Sequence, residues 1–423
     1  SLGDKHGCLI NSVGTAKCWG SNSEGQLGNG GTTDSSTAVT IPTLVFKSVG
    51  VGSKHSCAVT STGGIKCWGN NASGQLGDST LVSKSTPVDV SGLTSGYKTV
   101  VSGATYSCAL TTGGGVKCWG SNATGSLGNS SFIDSNSGVD VTGLGSGVKY
   151  LFANRGGHSC VVTTSGGAKC WGDNRFGQLG DGTQVNRSIP VDVAGLTSGV
   201  DYLYLAGFTT CAKLSSGAFK CWGNNQNGQL GDSTNTNRLI PVDLTIVNSV
   251  RDLSLGESSS CALKTDSTAV CWGYNTNAQI NSNEKYIVTP IAYPVTSLIA
   301  HRSGMSFQCS MASSGSVQCR GLRTSGQTVE GTTAYSGSTS VSIKNELLGS
   351  NSVAEDVSIG KEHLCFTSIF KKVYCLGSND NGEIGDGSIA GKLRLGRRIG
   401  RQGEAVRPDG NERAHHTLAA GRD

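Results

Sequence analysis

The sequence predicts an all-β protein, a β-propeller built from four-stranded blades, with eight blades favoured over seven. Three observations carry that expectation. Sixteen cysteines fall at 8/18, 57/67, 108/118, 160/170, 211/221, 261/271, 309/319 and 365/375, always ten positions apart within a pair. The first members of successive pairs are 48 to 56 residues apart, a period that marks solenoids and propellers. Glycine supplies 63 of 423 residues while charged residues reach only 15 %, a turn-rich composition without the long helices of a coiled coil.

Each repeat begins with a hairpin. In the second, His55-Ser56-Cys57-Ala58-Val59-Thr60 and Ile65-Lys66-Cys67-Trp68-Gly69 flank Ser61-Thr62-Gly63-Gly64, two β-prone runs around a glycine turn. If the turn lies at Ser61 to Gly63, Val59 faces Ile65, Ala58 faces Lys66 and Cys57 faces Cys67. Opposed residues of a non-hydrogen-bonded pair have Cα atoms about 4.5 Å apart, which admits a disulfide. Cross-strand disulfides are therefore expected in all eight units: Cys8–Cys18, Cys57–Cys67, Cys108–Cys118, Cys160–Cys170, Cys211–Cys221, Cys261–Cys271, Cys309–Cys319 and Cys365–Cys375. Buried free thiols and zinc are the competing readings, and the close Cys-x2-Cys spacing usual for zinc does not occur. Eight bridges would persist only in an oxidising compartment, which places the chain in a secreted, cell-surface or periplasmic setting.

The second block, Asn-x-x-Gly-Gln-Leu-Gly, starts at Asn22, Asn71, Asn174 and Asn225, with variants at Asn122 and Asn379. It is expected to be a tight turn leading into a short strand. A third block, Pro-Val-Asp-Val or Pro-Val-Asp-Leu, occupies 87–90, 190–193 and 241–244, and a final strand such as Lys98 to Gly103 returns the chain to the next hairpin. Four short strands per repeat in radial array protect their own edges, which favours a propeller over an open sheet. All six tryptophans (Trp19, Trp68, Trp119, Trp171, Trp222 and Trp272) occupy one slot in Cys-Trp-Gly, as packing between blades requires.

These blocks in this order resemble the regulator of chromosome condensation repeat family over residues 3 to about 388. The resemblance implies a propeller. Its founding member is a seven-bladed nuclear protein that binds chromatin and promotes nucleotide exchange on a small GTPase, whereas secreted bacterial relatives include an inhibitor of β-lactamases and repeats of cell-surface proteins. The paired cysteines depart from the nuclear pattern and point to the secreted branch. Eight complete hairpins against a family precedent of seven leave the blade number at eight or seven.

Charge and motifs narrow the function. The net charge is +5, of which residues 391–423 contribute +4, so residues 1–390 form a nearly neutral propeller domain and 391–423 a basic tail, expected to be disordered. A near-neutral body lacks the footprint of a nucleic-acid-binding protein. No run approaches 18 apolar residues, so no membrane-spanning helix is expected.

Nucleophile-elbow, phosphate-loop and zinc-protease motifs are absent. His6, His55, His158 and His363 share a slot with Tyr106, Thr209, Ser259 and Phe307, a structural position rather than a catalytic base. No enzymatic activity, cofactor or metal is expected, a calcium loop at Ser378 to Glu383 being only faintly indicated.

Inside the constant Asn-x-x-Gly frame the two middle residues vary, which reads as a fixed turn displaying changeable side chains around one face. Arg175 and Phe176 are the expected partner-binding anchors, with Glu24, Gln226, Asn227 and Asp380 in equivalent turns. The resulting expectation is a protein-interaction or adhesion module, monomeric as a domain, that binds a protein or cell-surface ligand. An inhibitor of a secreted enzyme, an exchange-factor-like regulator and a glycan-binding propeller are the alternatives.

Overall fold

The computed structural model describes residues 1–385 and 387, apart from 43, 245–248, 281–283, 305–306, 314–316, 322–340, 343–353, 360–362 and 369–372. The basic tail at 391–423 and most of the long spacer between the last two cysteine pairs lie outside the described residues. The described residues form thirty strands in eight antiparallel sheets, six of four strands and two of three, and contain no helix, hence none long and apolar enough to cross a membrane. The architecture is a β-propeller.

The first sheet contains β1 (His6–Ile10), β2 (Ala16–Gly20) and β3 (Ser35–Thr40). The second contains β4 (Phe46–Val51), β5 (His55–Thr60), β6 (Ile65–Gly69) and β7 (Lys84–Asp89), and later sheets repeat this order. Counted by hairpins there are eight sheets. Counted by the strand that precedes each hairpin there are seven, because before β1 only Leu2 bridges to Gly7.

The hairpin register is the one the turn demands: Cys57 pairs with Cys67, Ala58 with Lys66 and Val59 with Ile65. All eight disulfides are formed, with Cα separations of 4.0–4.1 Å. Their sulfurs lie in the core, none of the cysteines being more than 6 % exposed. The Pro-Val-Asp block is the outer strand of its sheet, where a residue without an N–H is tolerated. Its Asp binds the Lys of the neighbouring strand, as in Lys66–Asp89 at 2.8 Å and Lys169–Asp192 at 2.6 Å.

One expectation is corrected. The Asn-x-x-Gly-Gln-Leu-Gly block does not enter a strand; Asn71 to Gly77 are successive turns, and the outer strand starts only at Lys84. Gly74 and Gly77 stand at φ 77° and 65°, a left-handed conformation that breaks a β ladder and that glycine adopts without a Cβ penalty. The side chain of Asn71 replaces the ladder: its Oδ1 accepts from Leu76 N at 2.9 Å, and its Nδ2 donates to Thr80 O and Val82 O. Asn71 and Asn122, the first residues of two Asn-x-Ser/Thr sequons, are thereby fully buried.

Blades are joined by a repeated handshake. The indole Nε1 of Trp68 donates to Gln26 O, Trp119 to Gln75 O, Trp171 to Ser126 O, Trp222 to Gln178 O and Trp272 to Gln229 O, at 2.9–3.0 Å in the first four and 2.7 Å in the last. Trp19 makes the same bond to Glu383 O at 2.8 Å, 364 residues away, so the last sheet abuts the first and the ring is closed. All six indoles are at most 2 % exposed. In the seventh unit, where Arg320 replaces the Trp, its guanidinium lies over the Tyr293 ring at 5.8 Å, and a cation–π contact stands in the slot.

Candidate functional site

The turns that begin with the buried Asn are locked from three directions. Asn holds the turn's own backbone. The following Gln accepts from the second middle residue's N–H, as in Gln26 with Glu24 N at 2.9 Å and Gln178 with Phe176 N at 3.0 Å. The Gln carbonyl accepts the next blade's indole. What varies from turn to turn is the middle pair. In all seven such turns, including that of the sixth unit at Thr276-Asn277, the first middle residue is exposed and the second half-buried.

Among the sequence-predicted site residues, Arg175 and Phe176 lie together. Arg175 is 63 % exposed at its side chain and grips Asp173, 2 % exposed, through Nε–Oδ2 at 2.9 Å and Nη2–Oδ2 at 2.7 Å. That pairing raises the guanidinium's already high pKa. The Arg175 guanidinium lies 5.5 Å from the Phe208 ring, and Phe176 packs on the same ring at 5.0 Å.

The other predicted residues sit in their own blades. Glu24 is half-buried, 3.7 Å from Lys54 Nζ and bonded by Asn70 Nδ2 at 2.9 Å. Gln226 is exposed beside half-buried Asn227, and Asp380 is exposed in the last sheet.

Sequence reasoning missed Arg155 and Phe208. Both belong to the loops that precede the slot two before the first Cys, held by His158 and Thr209 in their units; in the second unit that loop needs glycine because a Cβ at Gly52 would lie 2.2 Å from the His55 ring. In the fourth unit this loop is Asn154-Arg155-Gly156-Gly157, four residues against three in most units and two, Gly207-Phe208, in the fifth, and that irregularity was the available signal. Arg155 spans 153 residues of sequence to donate to Leu2 O at 2.9 Å and pair with Asp4 at 2.8 Å. Arg155, Arg175, Asp173, Tyr106, Thr124 and Phe208 contribute to the walls of one cleft of about 220 Å³.

The slot histidines are structural. His6, His55 and His158 are fully buried and reach hydroxyls of the next blade: Ser56 at 3.0 Å, Ser107 at 2.8 Å and Thr210 at 2.9 Å. Burial holds His6 at about 3 and the other two at about 4, so they remain neutral and hold no proton to give.

The faint calcium indication is explained otherwise. Glu383 is 1 % exposed and fills the Gln slot, its carboxylate taking Asn381 N and Nδ2. Cys261, Cys271 and His301 lie within 4.8 Å of one another, but the two sulfurs are bonded to each other and offer no thiolate to a metal.

A family model described as RCC1-like domain matches residues 1–305. Among curated proteins, the chain is 31 % identical over 144 residues to the probable E3 ubiquitin-protein ligase HERC4 of Homo sapiens, covering 34 % of this chain and 14 % of that protein. It is 29 % identical over 243 residues to the ultraviolet-B receptor UVR8 of Arabidopsis thaliana, covering 57 % of this chain and 44 % of that protein. The chain thus spans less than half the length of these relatives. Among solved structures, Prp20p from Saccharomyces cerevisiae superposes with a TM-score of 0.64 at 20 % identity, covering 89 % of this chain and 94 % of that one, a likeness of fold.

Proposed function

The chain belongs to the RCC1-like domain family, and from that premise we propose that it is a non-enzymatic protein-binding propeller of an oxidising compartment, secreted or displayed at a cell surface. The observation that carries this reading is the contrast between a locked frame and an exposed, variable position in each turn. A buried Asn in each turn, a Gln, Ser126 or Glu383 after it and, in most, the next blade's Trp fix the frame, and one exposed, variable residue per turn is left to meet a partner. Side chains held in place before contact lose little conformational freedom on binding. The eight buried disulfides support the oxidising address and weigh against an exchange factor of the cell interior.

Arg175 and Phe176 are the anchors, joined by Phe208. Arginine and aromatic residues dominate interface energies when they sit in packed surroundings, and here the guanidinium is already oriented by a buried carboxylate. The test uses a partner captured by crosslinking from the extracellular medium or cell surface of the source. Arg175→Ala and Phe176→Ala should each weaken that complex about tenfold or more while the denaturation curve of the free protein hardly moves. Full affinity in both variants would remove these residues from the interface.

A further inference from the structure

The cleft beside the anchors has an electrostatic asymmetry that points to the partner's chemistry. Two guanidiniums, Arg155 and Arg175, line it against a single carboxylate, Asp173. That carboxylate is already saturated: besides the two Arg175 contacts given above, its Oδ1 accepts from Arg175 N at 3.0 Å and from Gln178 Nε2 at 3.0 Å. Three of the lining hydroxyls are also engaged internally: Tyr106 donates to His158 O at 2.9 Å, Thr124 and Ser126 lie 2.8 Å apart, and Ser126 donates to Gly157 O. What the cleft offers a ligand is therefore two planar donors and an aromatic ring, with the hydroxyls of Thr105 and Ser121 beside them.

The counter-ion of Arg155 is differently placed. Asp4 is 33 % exposed, comes from the bend just before β1, and does not line the cleft. It can be displaced without leaving a buried charge.

We propose that this cleft is a subsite for one carboxylate side chain, an aspartate or glutamate on a partner protein, taken by Arg155 and Arg175 with its methylenes against Phe208. Guanidiniums match a carboxylate in shape as well as charge. Asp4 acts as the internal stand-in that the partner's carboxylate replaces. The proposal rests on the protein-binding reading and names what that face would recognise.

The test is a display library of random linear peptides panned on the intact, disulfide-bonded protein. The expected result is a family of selected peptides sharing an Asp or Glu. A synthetic copy of the best one should bind about tenfold more weakly to Arg155→Gln and to Arg175→Gln, and its amide counterpart should lose binding to the same degree. Asp4→Asn should bind the acidic peptide severalfold more tightly, because the internal competitor is gone; damage to the fold would lower affinity instead. Selected peptides that lack an acidic position yet depend on Phe176 would overturn the carboxylate subsite and leave the binding face standing. Peptides indifferent to all four residues, or no selected peptide at all, would overturn both.

Discussion

Replacing the indoles by phenyl rings should not cost the same in every blade, and the difference can be worked from the acceptors. The Gln26 carbonyl receives both Trp68 Nε1 at 2.9 Å and Ser56 Oγ at 3.1 Å. The Gln75 carbonyl receives Trp119 Nε1 at 3.0 Å, and no second side-chain donor reaches it among the described residues. Trp68→Phe and Trp119→Phe remove similar ring volume from sites that are both fully buried, so the packing losses largely cancel in the comparison. What differs is that Trp119→Phe leaves a buried carbonyl without a partner, at about 1–3 kcal/mol, while Trp68→Phe leaves one partner in place. Urea denaturation of the disulfide-intact variants, with the slope checked for constancy, should therefore show Trp119→Phe about 1–3 kcal/mol less stable than Trp68→Phe. Adding Ser56→Ala to Trp68→Phe should bring that variant down by a similar amount, and more than Ser56→Ala lowers the wild type. Equal losses for the two single variants would refute the idea that the handshake acts through carbonyl satisfaction rather than through ring packing alone.

Two further expectations concern pH and redox conditions. His6, His55, His158, His301 and His363 are held by burial at about 3 to 4. The folded state keeps them neutral while the unfolded chain takes up protons near 6.5. Stability should be complete above pH 6.5 and fall as pH drops from there towards 4, each imidazole contributing up to about 1.4 kcal/mol per pH unit. Urea midpoints at pH 7.5 and 4.5 measure the loss, and a His55→Gln variant should show a shallower one; an unchanged midpoint would contradict the burial argument. The disulfides, whose cysteines are all at most 6 % exposed, should resist a reductant such as dithiothreitol under native conditions and open only when denaturant is added. Alkylation followed by mass measurement reads this directly, and rapid native-state labelling of all eight pairs would show the bridges to be accessible.

Legibility from sequence followed the range of the interactions involved. The hairpin register and the cysteine pairing depend on residues ten apart, so counting outward from the Ser61–Gly63 turn was enough to place Cys57 opposite Cys67. Repetition then multiplied one local argument by eight. The Asn-x-x-Gly block was misread as opening a strand because its organising bonds run from the Asn71 side chain to backbone up to 11 residues on, a pattern that turn propensities do not carry. Arg175 and Phe176 were legible as irregularities in a constant frame. Their neighbour Phe208 was not, since it comes from the next unit's loop and meets them only when blades pack.

The chain's own order of residues was sufficient to dictate sheets, strand pairings and disulfide partners, because each of these is settled within one repeat of about 51 residues. Ring closure through Trp19 and Glu383, the reach of Arg155 to Asp4, and the gathering of two arginines round one phenylalanine were decided only by tertiary packing. These contacts join residues of different repeats, 364 and 151 positions apart in the first two cases, and no local periodicity encodes which side chains the curvature of the ring will bring face to face.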